Sequence, residues 1–271
     1  MATLWEVVTH LEKLVPSMYV PNGDVNGVIL GTSDINKQKR IRLSAAAICV
    51  DITVPTIIKS SELGAGLLIA HRSPFPKTTT HFTGLSQLLL QHLLKRNLTV
   101  YIAHYAWAVV DQGMTDVLAH TLGFKVNDVF KVSIDGDILP LGRVCAVPKE
   151  TNLKTFIQYI AKRLRIPSLT YVGKLEDEVD QLLLMTGKGI TEDWLRLAKE
   201  QGCDTYLTGH ITHELAMQAS QLKMKLVAVP QISTEIPGMS RLTQILRVEH
   251  PKVTFSFLEP SIPYSTILMP P

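Results

Sequence analysis

One pattern recurs in both halves of this chain and limits its fold more than any other: an apolar run, a helical stretch, a glycine, a second apolar run, then a histidine. In the first half, Ala45 to Val50 is followed by a helical stretch from Pro55 to Leu63, by Gly64 and Gly66, and by Leu67 to Ala70, which stops at His71. In the second half, Leu182 to Met185 leads through Thr186–Gly187–Lys188–Gly189 to a helical stretch from Thr191 to Gln201. Gly202 and the run Asp204 to Thr208 follow, ending at Gly209 and His210. Adjacent parallel strands need a crossover, so each half reads as a βαβ unit. Pro55 suits a first helical turn, where its missing N–H would find no partner anyway, and Gly64 and Gly66 release the chain from the helix. The repetition predicts an α/β fold of two similar lobes with mixed or parallel sheets and a cleft between them. The first lobe is expected over residues 1–126 with part of the cleft. The second is expected over 127–271, packing back on the first, with a loose boundary. Internal duplication and shared architecture both remain open.

Further strands are expected at Asn97 to Ala103, ending at His104, at Leu226 to Val229, ending at Pro230–Gln231, and at Val253 to Leu258. Thr151 to Arg163 reads as helical, and Asp111 as the cap of a helix beginning near Met114. With 46% hydrophobic and 19% charged residues in 271, the chain can bury a core and is not of disordered composition. A net charge of +3 and 6% aromatic residues argue against a nucleic-acid partner. The cluster Lys37, Lys39, Arg40 and Arg42 reads as a solvated connection. Glu6, His10, Glu12 and Lys13 interrupt the first residues, where Leu4, Val7, Val8, Leu11 and Leu14 recur at helical spacing, so no signal peptide is expected. No apolar run approaches a membrane span of roughly 18 residues. Cys49, Cys145 and Cys203 are scattered, and Cys49 sits in an apolar run, as suits a reducing compartment. A soluble, cytoplasmic protein with no membrane partner is therefore expected.

Candidate chemistry lies at the carboxyl ends of the strands, where open α/β sheets bind ligands. His71, His104, His210 and His213 all stand at or just past such ends. Imidazole is both a common metal ligand and a proton carrier, so four of them suggest a shared site. Thr186 to Gly189 could hold a phosphate on its backbone amides or be a plain tight turn, and it lacks the full glycine spacing of a nucleotide loop.

Several blocks together resemble the Nif-three-like family, the GTP cyclohydrolase I type 2 homologues. Asn26–Gly27–Val28–Ile29–Leu30–Gly31 is similar to its N-terminal segment, and Cys49 to Thr53 to its first core strand. Gly66 to Pro74 resembles its His-His-Pro region, Ala103–His104 with Gly113 and Asp116 its His-Thr-Asn-Leu-Asp segment, and Leu141–Gly142–Arg143–Val144 its Gly-Arg-x-Gly turn. Thr208 to His213 resembles Thr-Gly-Asp followed by His, and Gln231 to Gly238 resembles His-Tyr-x-Thr-Glu-x-Pro-Gly. The resemblance implies a dinuclear metal site and a ring-like homohexamer. Carried over by position, His71 and Glu235 keep ligand types, whereas Arg72, Ala108 and Gln231 stand at the other ligand positions.

Two readings remain open. One is a metal-poor binding or interaction protein that takes a small-molecule or protein ligand in a cleft lined by Arg72, His210, His213 and Gln231. The other is a hydrolase-like enzyme holding one divalent metal ion through His71, His104 and Glu235, with His210 or His213 as acid, base or further ligand. In the first reading Arg72 takes over the metal's electrostatic role and pairs with Glu235.

Overall fold

The structure, a computed structural model, describes residues 2–75, 79–134, 136–189 and 191–262. Its contacts divide the chain into two compact units, one from Met1–Val110 with Met239–Ser261 and one built on Asp111–Gly238.

In the first unit the order is β1 (Ala2–Thr3), α1 (Leu4–Leu14), β2 (Gly27–Leu30), α2 (Ile35–Arg40), β3 (Arg42–Leu43), β4 (Ala45–Asp51) and α3 (Val54–Glu62). Then come β5 (Leu67–Arg72), α4 (Gly84–Lys95), β6 (Thr99–Ile102) and α5 (Tyr105–Val109). α1 begins on a reciprocal cap, in which the Thr3 hydroxyl accepts from the Glu6 amide and the Glu6 carboxylate accepts from the Thr3 amide. It buries Leu4, Val7, Val8 and Leu11, four of the five residues whose spacing predicts it; the fifth, Leu14, ends the helix only partly buried. β4 is buried from Ala45 to Val50 on both faces, which is why its sequence is a continuous apolar run and not an alternation. Thr53 caps α3 and Pro55 enters its first turn, as expected. β4, β5 and β6 pair in parallel, and β2 closes on β6 antiparallel. β5 runs two residues past the expected end, so His71 and Arg72 belong to the strand, and successive side chains point to opposite faces. Ala47, Cys49, Leu68, Ala70, Leu93, Val100 and Ile102 form the core on one face of this sheet.

The second unit contains α6 (Met114–Leu122), β7 (Lys125–Ile134), β8 (Asp137–Ala146), α7 (Leu153–Leu164), β9 (Thr170–Val172), β10 (Gln181–Leu184), α8 (Glu192–Glu200), β11 (Thr205–Thr208), α9 (His213–Gln221) and β12 (Lys225–Ala228). Its sheet runs β7-β8-β10-β11-β12-β9, parallel from β10 to β12 and antiparallel at both flanks. The repeated βαβ pattern is thus realised as β4–α3–β5 and β10–α8–β11. α10 (Gln231–Glu249) contains the division between the units, and β13 (Thr254–Phe257) then pairs in parallel with β4 in the first sheet.

Two local expectations are corrected. Gly142 and Arg143 do not make a turn; they lie within the ten-residue strand β8. A Cβ on Gly142 would stand 2.8 Å from Leu183 Cδ1 and 2.9 Å from Met185 Cγ, so the glycine is needed for close packing of the neighbouring chain. Asp111 does not cap α6, whose N-cap is Gly113 with no side-chain hydrogen bond.

Candidate functional site

The carboxyl edge of the first unit's sheet gathers a polar cluster. His71, only 3% exposed, places its Nδ1 2.9 Å from the Ala103 carbonyl oxygen. A carbonyl can only accept, so the proton is on Nδ1 and the lone pair on Nε2. Burial, reinforced by His104 and the Arg72 charge and opposed by the bond to Ala103, pushes its pKa down to about 3. The ring is therefore a neutral imidazole at physiological pH. The His104 ring lies 5.0 Å away, centroid to centroid, in a tilted arrangement.

His104 follows β6 and its Nδ1 stands 2.6 Å from Asp24 Oδ1. Burial works against the charge on Asp24, but the His104 imidazole and the backbone amides of Val25 and Tyr105 more than offset it and hold the carboxyl below its usual range. This orients the ring with Nδ1 toward the carboxylate, the arrangement in which metal-binding and proton-transferring histidines are held. Burial and the nearby Asp24 charge also push the Tyr105 phenol well above its ordinary value.

Arg72 is the next residue along β5 from His71. Its Nε and Nη2 donate to the two oxygens of Asp51, each at 2.6 Å. The pair is cross-strand, because Asp51 lies opposite Arg72 in the parallel register of β4 and β5. A planar fork on both carboxylate oxygens fixes the guanidinium in place. Asp24 and Asp51 are the site residues that reading the sequence for histidines did not find.

In the second unit, the carboxyl ends of β10, β11 and β12 bring together Gly187, Gly209, Gln231, Thr234 and Glu235. Glu235, on the first turns of α10, is 1% exposed and accepts from Gln231 Nε2 at 2.9 Å. Thr234 accepts from the Gly187 amide at 3.0 Å and donates to the Gln231 carbonyl at 2.6 Å. The Gly187 carbonyl accepts from the Gly209 amide at 3.0 Å. The Gly187 amide is thus committed to protein, and Thr186–Gly189 behaves as a tight turn with positive φ at Gly187 and Gly189. His210 follows β11 and His213 opens α9; both are exposed. Arg143, 2% exposed, is clamped to Asp116 by two bonds of 2.6 and 2.7 Å, which makes it a structural residue of this unit. Among the described residues, no group of three or more His, Cys, Asp or Glu side chains is placed to hold a metal ion. No described helix is long and apolar enough to cross a membrane.

Two units, each built on a mixed α/β sheet, make a fold that is also found in solved structures. A Bacillus cereus protein related to NIF3 superposes with a TM-score of 0.86 at 16% identity, covering 98% of this chain and 99% of that one, which establishes the shared fold. The Duf34/NIF3 (NGG1p interacting factor 3) family matches residues 2–261, and the chain belongs to that family. The GTP cyclohydrolase 1 type 2 homolog of Clostridium perfringens is 24% identical over 242 residues, 88% of this chain and 89% of the relative. The homolog of the same description from Streptomyces coelicolor is 26% identical over 257 residues, 90% of this chain and 87% of the relative.

Proposed function

We propose that this chain is a binding protein that keeps the NIF3 fold and has exchanged a dinuclear metal site for a fixed organic cation. The observation that carries the reading is Arg72, held by two hydrogen bonds to Asp51 at the same strand end as the neutral imidazole of His71, where its charge helps keep that ring unprotonated. A two-metal centre needs bridging oxygens and enough anionic or imidazole ligands to offset two cations about 3.5–4 Å apart. The residues present do not fit that demand. Arg72 adds a permanent positive charge, Ala108 brings no donor atom in its side chain, and the Gln231 amide donates to Glu235. What remains is an oriented polar cluster of His71, His104, Arg72 and Asp24, suited to hydrogen-bonding a small anionic or polar ligand. The three cysteines are unpaired and buried, which supports a reducing, cytoplasmic setting. A symmetric homo-oligomer, as the family resemblance implies, completes the proposal.

One observation favours the second reading, a hydrolase-like enzyme with a single metal held through His71 and His104. The Nδ1 of both histidines is engaged, to Ala103 and to Asp24, as in metal-bound imidazoles whose Nε2 carries the ion. Elemental analysis of protein purified without chelator separates the two. The binding-protein reading expects no divalent ion whose retention depends on His71 or His104. A full equivalent retained in the wild type and lost in both His71→Ala and His104→Ala would overturn that reading in favour of a single-metal site.

A further inference from the structure

A second histidine pair lies in the first unit, away from the strand-end cluster. His10, on α1, and His250, just past the end of α10, face each other with Nδ1 of the first 3.1 Å from Nε2 of the second. Their ring centroids are 5.2 Å apart, and His250 also leans on Phe255. Both side chains are half-buried, so an ion can reach them from solvent.

We propose that His10 and His250 form a two-histidine site for a borderline transition-metal ion of the zinc, nickel or copper(II) class. Two nitrogens 3.1 Å apart match the bite of one ion about 2.0–2.1 Å from each, at an N–metal–N angle of about 100°. That angle lies between the square and tetrahedral preferences of these metals. Imidazole is their common ligand, whereas calcium and magnesium prefer oxygen. In the metal-free pair one of the facing nitrogens carries the hydrogen that joins them. Binding moves that proton to the other nitrogen of the same ring, so both facing lone pairs meet the metal and no net proton is released. Burial and the neighbouring His10 hold the His250 pKa below its ordinary value, which favours the neutral, ligating form. The carboxylates of Glu249 and Glu6 act on His250 in the opposite sense and leave the site attractive to a cation. Water completes the coordination sphere. The two residues are 240 positions apart, so the ion would tie α1 to the far end of α10.

The test is titration of chelator-dialysed wild-type protein with zinc or nickel chloride alone, read by calorimetry. The expected result is a component of one ion per chain that weakens at least tenfold in His10→Gln and in His250→Gln. It should persist in the His71→Ala, His104→Ala double variant, which keeps this site distinct from the strand-end histidines. A thermal shift provides a readout that does not depend on calorimetry: zinc should raise the melting temperature of the wild type and not of His10→Gln, whose change lies at a half-buried helix position. The proposal is overturned if binding is unchanged in His10→Gln, if it disappears only with the His71 and His104 changes, or if the wild type binds no ion that the variant does not.

Discussion

At the scale of single residues, His71 links burial to a measurable pH dependence. Its pKa in the folded state, pushed down to about 3, lies far below the roughly 6.5 of an exposed histidine in the unfolded chain. The unfolded state therefore binds the proton first, and its contribution to stability is fully present above the unfolded value. It is lost as pH falls through the window from about 6.5 to about 3, with a slope of at most about 1.4 kcal/mol per pH unit. Urea denaturation of chelator-treated protein should show His71→Gln flattening the acid limb of stability in that window relative to wild type; parallel curves would contradict the assignment. Much of this site was legible in the sequence, because histidines that stop apolar runs mark strand ends. Its carboxylates were not, since Asp24 is 80 positions from His104 and only folding unites them. Asp51 left a usable signal. Ala46 pairs with Leu67 and every later partner keeps the same offset, so laying the two runs side by side brings Asp51 opposite Arg72. The expected partner of Arg72 was Glu235, and the register of adjacent strands adds a carboxylate from within the same sheet.

At the scale of elements, β8 shows how a glycine in a sequence can mislead. The family resemblance makes Gly142–Arg143 a turn, in keeping with the way glycine most often punctuates a chain. In β8 the same glycine admits the side chains of β10, and the arginine beside it serves the clamp to Asp116. Gly142→Ala forces a methyl within 3.1 Å of the Leu184 carbonyl oxygen as well as against Leu183 and Met185. The expected cost is about 1–3 kcal/mol. It should be read as a lower denaturant midpoint with the slope unchanged, and an unchanged midpoint would show that the strands slide apart freely. By contrast, the elements of the two βαβ crossovers were legible, because apolar runs, helical stretches and glycine placement agree there.

At the scale of the whole molecule, light scattering at micromolar concentration tests the proposed assembly. A closed ring of six should give six times the 30.1 kDa of one chain, and a mass of one chain would remove the oligomer from the proposal. The units themselves were legible as two α/β repeats, but the strand that re-enters the first sheet was expected without its address. That strand, β13, lies against β4 although the whole of Asp111–Gly238 separates it from the first unit's other strands. The second unit is thus an insertion in the middle of the first, with a consequence for biosynthesis. A ribosome releases the chain in order, and units tend to fold as they emerge. The inserted unit's sheet can be finished while the host sheet still waits, with one flank of β4 bare, for β13 to leave the exit tunnel. The sheet whose synthesis begins first is the sheet completed last.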